Sequence, residues 1–173
     1  MVKKIDDILR RGEFGKKKRI NSRRKGNAFE RKMASQLNER FGTKEFARTP
    51  GSGAYATTHQ NLPEHLKVQG DLITPKNFKF VIECKSGYTI EFDDPFKKNS
   101  ELWDFILQAK RDAALAKKDW MVIYKKTRRT TLVIVGSPYP VHRRMEINGG
   151  YFVYAYEDFV RLDDSHFYQE SQA

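Results

Sequence analysis

Asp71, Glu83 and Lys85 fall within one stretch, GDLITPKNFKFVIECK from Gly70 to Lys85, that is otherwise rich in Leu, Ile, Phe and Val. The stretch reads as a β-hairpin. Side chains alternate along a strand, so Val81, Glu83 and Lys85 share one face while Phe80, Ile82 and Cys84 share the other, drier one. A three-residue loop of Pro75, Lys76 and Asn77 places Asp71 opposite Val81 and on the face of Glu83, with the two acids diagonal neighbours roughly 7 Å apart. A two-residue loop would turn Asp71 to the far face. Two bare carboxylates held this close repel, and one must take up a proton unless a cation sits between them. Oxygen ligands favour Mg2+ or Mn2+ over zinc, and such a cation activates water and stabilises charge building on phosphorus. Lys85 is placed to orient that water or steady an oxyanion, so the trio suits phosphodiester hydrolysis. A plain salt bridge from Lys85 to either acid is the competing reading.

The elements that must position these groups can be read from periodicity. Phe29, Met33, Ala34, Leu37 and Phe41 recur at three- and four-residue spacing, predicting a helix over 27–41 that stops at Gly42. Glu30 lies about 100° round from Phe29, on the border of the apolar stripe, and so reaches whatever the helix packs on. FARTPGSGAYATTHQNLPEHLK reads as a short strand end and a long loop. A second helix spans about 98–117, with Leu102, Phe105, Ile106, Ala109, Ala113 and Ala116 on one side. WMVIYKK and TTLVIVG predict strands flanking a turn at 127–129, and YFVYAY a late one. The order implies an α/β chain, a mixed β-sheet flanked by α-helices.

Length and composition bound the function classes. At 173 residues, 39% hydrophobic and 13% aromatic, the chain suits one domain with a sizeable core. The lone Cys84 permits no internal disulfide and no cysteine-based zinc finger. MVKKIDDILRR lacks the apolar centre of a signal peptide, and apolar runs such as TLVIV are too short to span a bilayer, so a cytoplasmic protein without membrane attachment is expected. The formal charge of +11 points to a polyanionic partner. Residues 1–25 hold eleven Lys and Arg against three acids, a net +8, leaving +3 for the other 148 residues. A basic arm over 1–25, including Arg23, Arg24 and Lys25, is thus expected to precede a single domain over 26–173 and to neutralise phosphates without reading sequence.

Four segments, RRKGNAFERKMASQLNERFG, FARTPGSG, GDLIT and VIECKS, stand in the order found in archaeal-type Holliday junction resolvases, a family within the PD-(D/E)XK nuclease superfamily, and the chain resembles that family over roughly residues 23–135. The resemblance implies a restriction-endonuclease-like core and a Mg2+-dependent endonuclease, with Mn2+ as a substitute. It implies Asp71, Glu83 and the Cys84 carbonyl as metal ligands, Lys85 as catalytic lysine, and Glu30 as a further acid completing the site. It implies phosphate contacts from Arg31, Arg48 and Lys125, and Ser52 beside the site. It implies a homodimer cutting opposed strands of a four-way junction, in a prokaryote or a phage-infected host cell. The stretch 53–70, the arm and the tail after Tyr151 are additions to the pattern.

Other candidates are weaker. His59, His65, His142 and His166 show no metal-ligand spacing, and Cys84 is expected to be a core thiol, with Trp103 and Phe105 core residues too. Tyr55 is placed in a loop where it could stack on a base, and RTPGSG could cradle phosphate. The alternatives to a resolvase are a less selective repair, recombination or restriction nuclease, and a basic nucleic-acid-binding protein without catalysis.

Overall fold

The computed structural model describes residues 22–50, 69–147 and 149–169. The expectations for residues 1–21, Ser52, Tyr55, His59 and His65 lie outside the described residues.

Helix α1 (Ser22–Phe41) buries Phe29, Met33, Ala34 and Leu37 on one side, and Glu30 with them. It starts five residues before the apolar pattern does, so Arg23, Arg24 and Lys25 form its exposed first turn rather than the end of the arm. Strands β1 (Ala47–Arg48), β2 (Leu72–Ile73) and β3 (Phe80–Ser86) follow. Helix α2 (Glu101–Ala116) then leads into β4 (Asp119–Lys125) and β5 (Thr131–Val135). β6 (Arg144–Ile147), β7 (Tyr151–Ala155) and the one-turn α3 (Tyr156–Phe159) come next.

These strands form a seven-stranded sheet in the order β1-β2-β3-β4-β5-β7-β6. Only the β3–β4 pairing is parallel, as expected where α2 provides the crossover; the others are antiparallel. The α/β reading, a mixed sheet flanked by helices, therefore holds. β3 is buried on both faces between β2 and β4. Below the sheet, α1 joins Leu72, Phe80, Ile82, Cys84 and Ile123 to the C-terminal residues Phe159 and Phe167 in one apolar cluster. Above it, Leu102, Phe105, Ile106 and Ala109 of α2 pack on Val122, Tyr124 and Ile134.

One expectation needs correction. The hairpin register is Leu72 opposite Ile82, not Asp71 opposite Val81. Phe78 closes a turn by donating to the Pro75 carbonyl (3.0 Å), and then leaves β2 to pair with the C-terminus: Lys79 N–H donates to Phe167 (2.7 Å) and Gln169 N–H to Asn77 (2.8 Å). The tail after Tyr151, absent from the motif pattern, is thus integral. It contributes β7, and Phe167 stacks on Phe78 at 6.2 Å in an aromatic cluster with Phe41. β6, with three of its four residues exposed, carries too little apolar signal to be seen in the sequence.

Candidate active site

The two-residue register shift keeps the parity of the hairpin, so Asp71 still shares a face with Glu83, now directly across from it rather than diagonal. Gly70 makes this turn possible. Its φ is +78°, and a Cβ there would lie 2.7 Å from the Ile82 carbonyl oxygen and 2.8 Å from Val81 Cγ1. Asp71 N–H donates to the same Ile82 carbonyl (2.9 Å), and Asp71 Oδ2 accepts from Cys84 N–H (2.9 Å), so backbone on both sides fixes this side chain.

Glu83 is 1% exposed. Its Oε1 accepts from Lys85 Nζ (2.5 Å) and from Gln108 Nε2 (2.7 Å), while its Oε2 is buried with no hydrogen-bond partner. Burial, then the neighbouring Asp71 charge, pushes the Glu83 carboxyl up to about 8 against the opposing pull of Lys85. Burial works against the charge of Lys85, yet the Glu83 carboxylate wins and holds its ammonium above the ordinary lysine value. The Lys85 ammonium also lies 5.3 Å from the centre of the Phe105 ring. A Lys85–Glu83 salt bridge therefore exists, but in the sheet interior, and one lysine does not neutralise two acids.

Glu30 comes from a different element, helix α1. It belongs to the α1 layer below the sheet, where Arg48 Nε donates to its Oε2 (2.6 Å) and Arg48 Nη2 reaches Asn27 Oδ1 (3.1 Å). Its charge is felt at the Cys84 thiol, which lies on that same face. Among the described residues, no three His, Cys, Asp or Glu side chains gather into a metal-holding group. Asp71 and Glu83 nevertheless fit a hard cation. Mg2+ is commonly held by one or two carboxylates while keeping several waters, and the orphaned Glu83 Oε2 is an oxygen donor lacking a partner.

The remaining predicted residues fall as follows. Cys84 is a buried free thiol in the α1-side core, its pKa driven well up by burial. Phe105 is buried and Trp103 half-buried, in keeping with core roles. Arg31 is exposed on α1, Arg48 is tied to Glu30, and Lys125 is half-buried at the end of β4, opposite Ser86 and Thr131. His142 is exposed and His166 packs edge-on against Tyr139 at 5.8 Å. Gln108, which touches both Glu83 and Lys85, is not singled out by the sequence. Its one signal is position: it is a long polar residue flanked on α2 by the inward-facing Phe105 and Ala109.

A family model described as "Phage putative PDDEXK endonuclease" matches residues 21–159. No curated protein matches the chain. Among solved structures, the chain is similar to Hjc of Archaeoglobus fulgidus, a Holliday junction resolvase from an archaeal hyperthermophile, at 16% identity and a TM-score of 0.37, over 84% of this chain and 94% of that one.

Proposed function

Because this chain belongs to the phage PDDEXK endonuclease family, we propose that it is a divalent-metal-dependent DNA endonuclease, selective for branched DNA and acting on four-way junctions as a homodimer. The observation that carries the catalytic part is the buried pair of Asp71 and Glu83, whose joint charge exceeds what Lys85 supplies and whose Oε2 atom has no partner. A cation meets that deficit where a proton otherwise must.

Asp71 and Glu83 would hold Mg2+, or Mn2+ in its place, together with the Cys84 carbonyl. When bound, the cation lowers the pKa of its water and stabilises the charge that builds on the scissile phosphate. Asp71 is held rigid by the Cys84 N–H, so it orients its ligand oxygen at no further cost in order. Lys85 keeps its proton, pinned by Glu83 and Gln108, and so offers a fixed positive charge to the phosphoryl oxygens or the attacking water. Glu30 acts from the neighbouring layer through Arg48, which brings a guanidinium to the same end of the sheet. The first turn of α1, with Arg23, Arg24 and Lys25, supplies phosphate contacts at the positive end of the helix dipole, and Arg31 supplies another from mid-helix. Ser52 and Lys125 complete the DNA-binding set.

Junction selectivity and dimerisation rest on the motif resemblance, since a nuclease for flaps or plain duplex would carry the same site. Mg2+-dependent cleavage of a labelled four-way junction, beside a linear duplex, a flap and a single strand, tests them. Paired symmetric nicks on the junction, lost in Asp71→Asn, are expected. Equal cutting of all substrates would retain the nuclease and remove the resolvase.

A further inference from the structure

The two oxygens of Glu83 are in different circumstances. Oε1 is saturated from within the protein by Lys85 and Gln108, and Oε2 is left without a partner in a buried place. Gln108 closes the arrangement into a ring, because its own Oε1 accepts from Lys85 Nζ at 2.9 Å while its Nε2 donates to Glu83 Oε1 at 2.7 Å. The amide orientation is set by this chemistry: the reverse flip would set NH2 against an ammonium and a carbonyl against a carboxylate.

We infer that Gln108 is a positioning residue for the metal-dependent reaction, clamping Glu83 Oε1 and Lys85 Nζ so that Glu83 Oε2 remains the oxygen presented to a cation. The inference rests on the reading of Asp71 and Glu83 as cation ligands. No charged side chain does this at position 108. A glutamate would add a third acid, and a lysine or arginine would repel Lys85. An amide donates to the acid and accepts from the base with no net charge. It also arrives from α2, a different element from β3, so the rotamers of Glu83 and Lys85 are fixed by the packing of Leu102, Phe105 and Ala109 on the sheet. Without it, Glu83 is free to rotate and spend Oε2 on Lys85.

The test uses Gln108→Met, which keeps length and loses both hydrogen bonds, and Gln108→Leu, a shorter uncharged side chain that loses both as well. Arg111→Ala, on the exposed side of α2, serves as control. Mn2+ binding to the DNA-free protein by calorimetry is read beside steady-state cleavage and the melting temperature in EDTA. Both Gln108 variants should bind Mn2+ about 10–100-fold more weakly, with kcat reduced by a similar factor, KM for DNA unchanged and melting temperature close to that of wild type. Wild-type Mn2+ affinity and kcat in Gln108→Met would overturn the clamp while leaving the site reading intact, provided Glu83→Gln abolishes both. A wild-type protein that binds no Mn2+ would overturn clamp and site reading together. If Gln108→Met melts far below wild type, Gln108→Leu decides the matter by the same criteria.

Discussion

At the scale of single residues, the decisive quantity is the proton on Glu83. Its carboxyl rises from 4.5 to about 8 on folding, first through burial and then through Asp71. The folded metal-free protein therefore binds that proton more tightly than the unfolded chain does. The stability linked to it is full below about 4.5 and declines as pH rises through 8. Glu83→Gln, which keeps the shape without the charge, should raise the metal-free melting temperature at pH 8.5 by about 2–4 °C for each kcal/mol regained, a gain that vanishes by pH 4.5. Mg2+ should stabilise the wild type at pH 8.5 and leave Glu83→Gln unmoved; differential scanning calorimetry in EDTA and in Mg2+ checks both. Lys85→Met should lower kcat by about 100-fold or more while DNA affinity in Ca2+ is kept, measured by single-turnover cleavage beside binding anisotropy. The shared face of Glu83 and Lys85 was legible because strand alternation fixes it, whereas that of Asp71 depended on an odd-numbered hairpin loop. Gln108 was not legible, because its role comes from a helix packing across the sheet, a relation with no trace in local periodicity.

At the scale of elements, the hairpin positions the site through its tight start. Gly70→Ala forces a side chain into a left-handed backbone and against the Ile82 carbonyl, with a cost of about 1–3 kcal/mol. It should also displace Asp71, so cleavage is expected to fall more than stability alone explains; circular-dichroism melts and kcat on the same sample separate the two. The parity of the hairpin was readable and its register was not. The pull that moves Asp71 from Val81 to Glu83 comes from Phe167 and Gln169, roughly ninety residues downstream, which take Asn77 and Lys79 as partners. α1 and α2 were recovered from their apolar stripes. The placement of Glu30 below the sheet follows from the face that α1 covers, which its position in the helix cannot reveal alone.

At the scale of the molecule, the parts outside the nuclease motif are of two kinds. The C-terminal segment belongs to the core, with Phe159 and Phe167 almost wholly buried. Phe167→Ala should cost about 3–5 kcal/mol, visible as a drop in the urea midpoint. The N-terminal stretch carries charge instead: residues 1–21 hold eight Lys and Arg. Deleting them should reduce the slope of log K against log salt for duplex binding by several units, at most about 7, while leaving kcat unchanged. No helix among the described residues is long and apolar enough to cross a membrane. The fold class was legible because each apolar stripe matches one layer, whereas the sheet order, with β7 inserted between β5 and β6, depends on pairings between segments of weak individual signal.

The account stands on Asp71 and Glu83 acting with a divalent cation on a phosphodiester. The most direct measurement is single-turnover cleavage of a labelled four-way junction by wild type and Glu83→Gln, in Mg2+ and in EDTA, with DNA binding followed on the same samples. The account predicts cutting by wild type in Mg2+ alone and undiminished binding by Glu83→Gln without cutting. Cleavage that persists in EDTA or in Glu83→Gln, or binding by wild type with no cutting in Mg2+ or Mn2+, would contradict it.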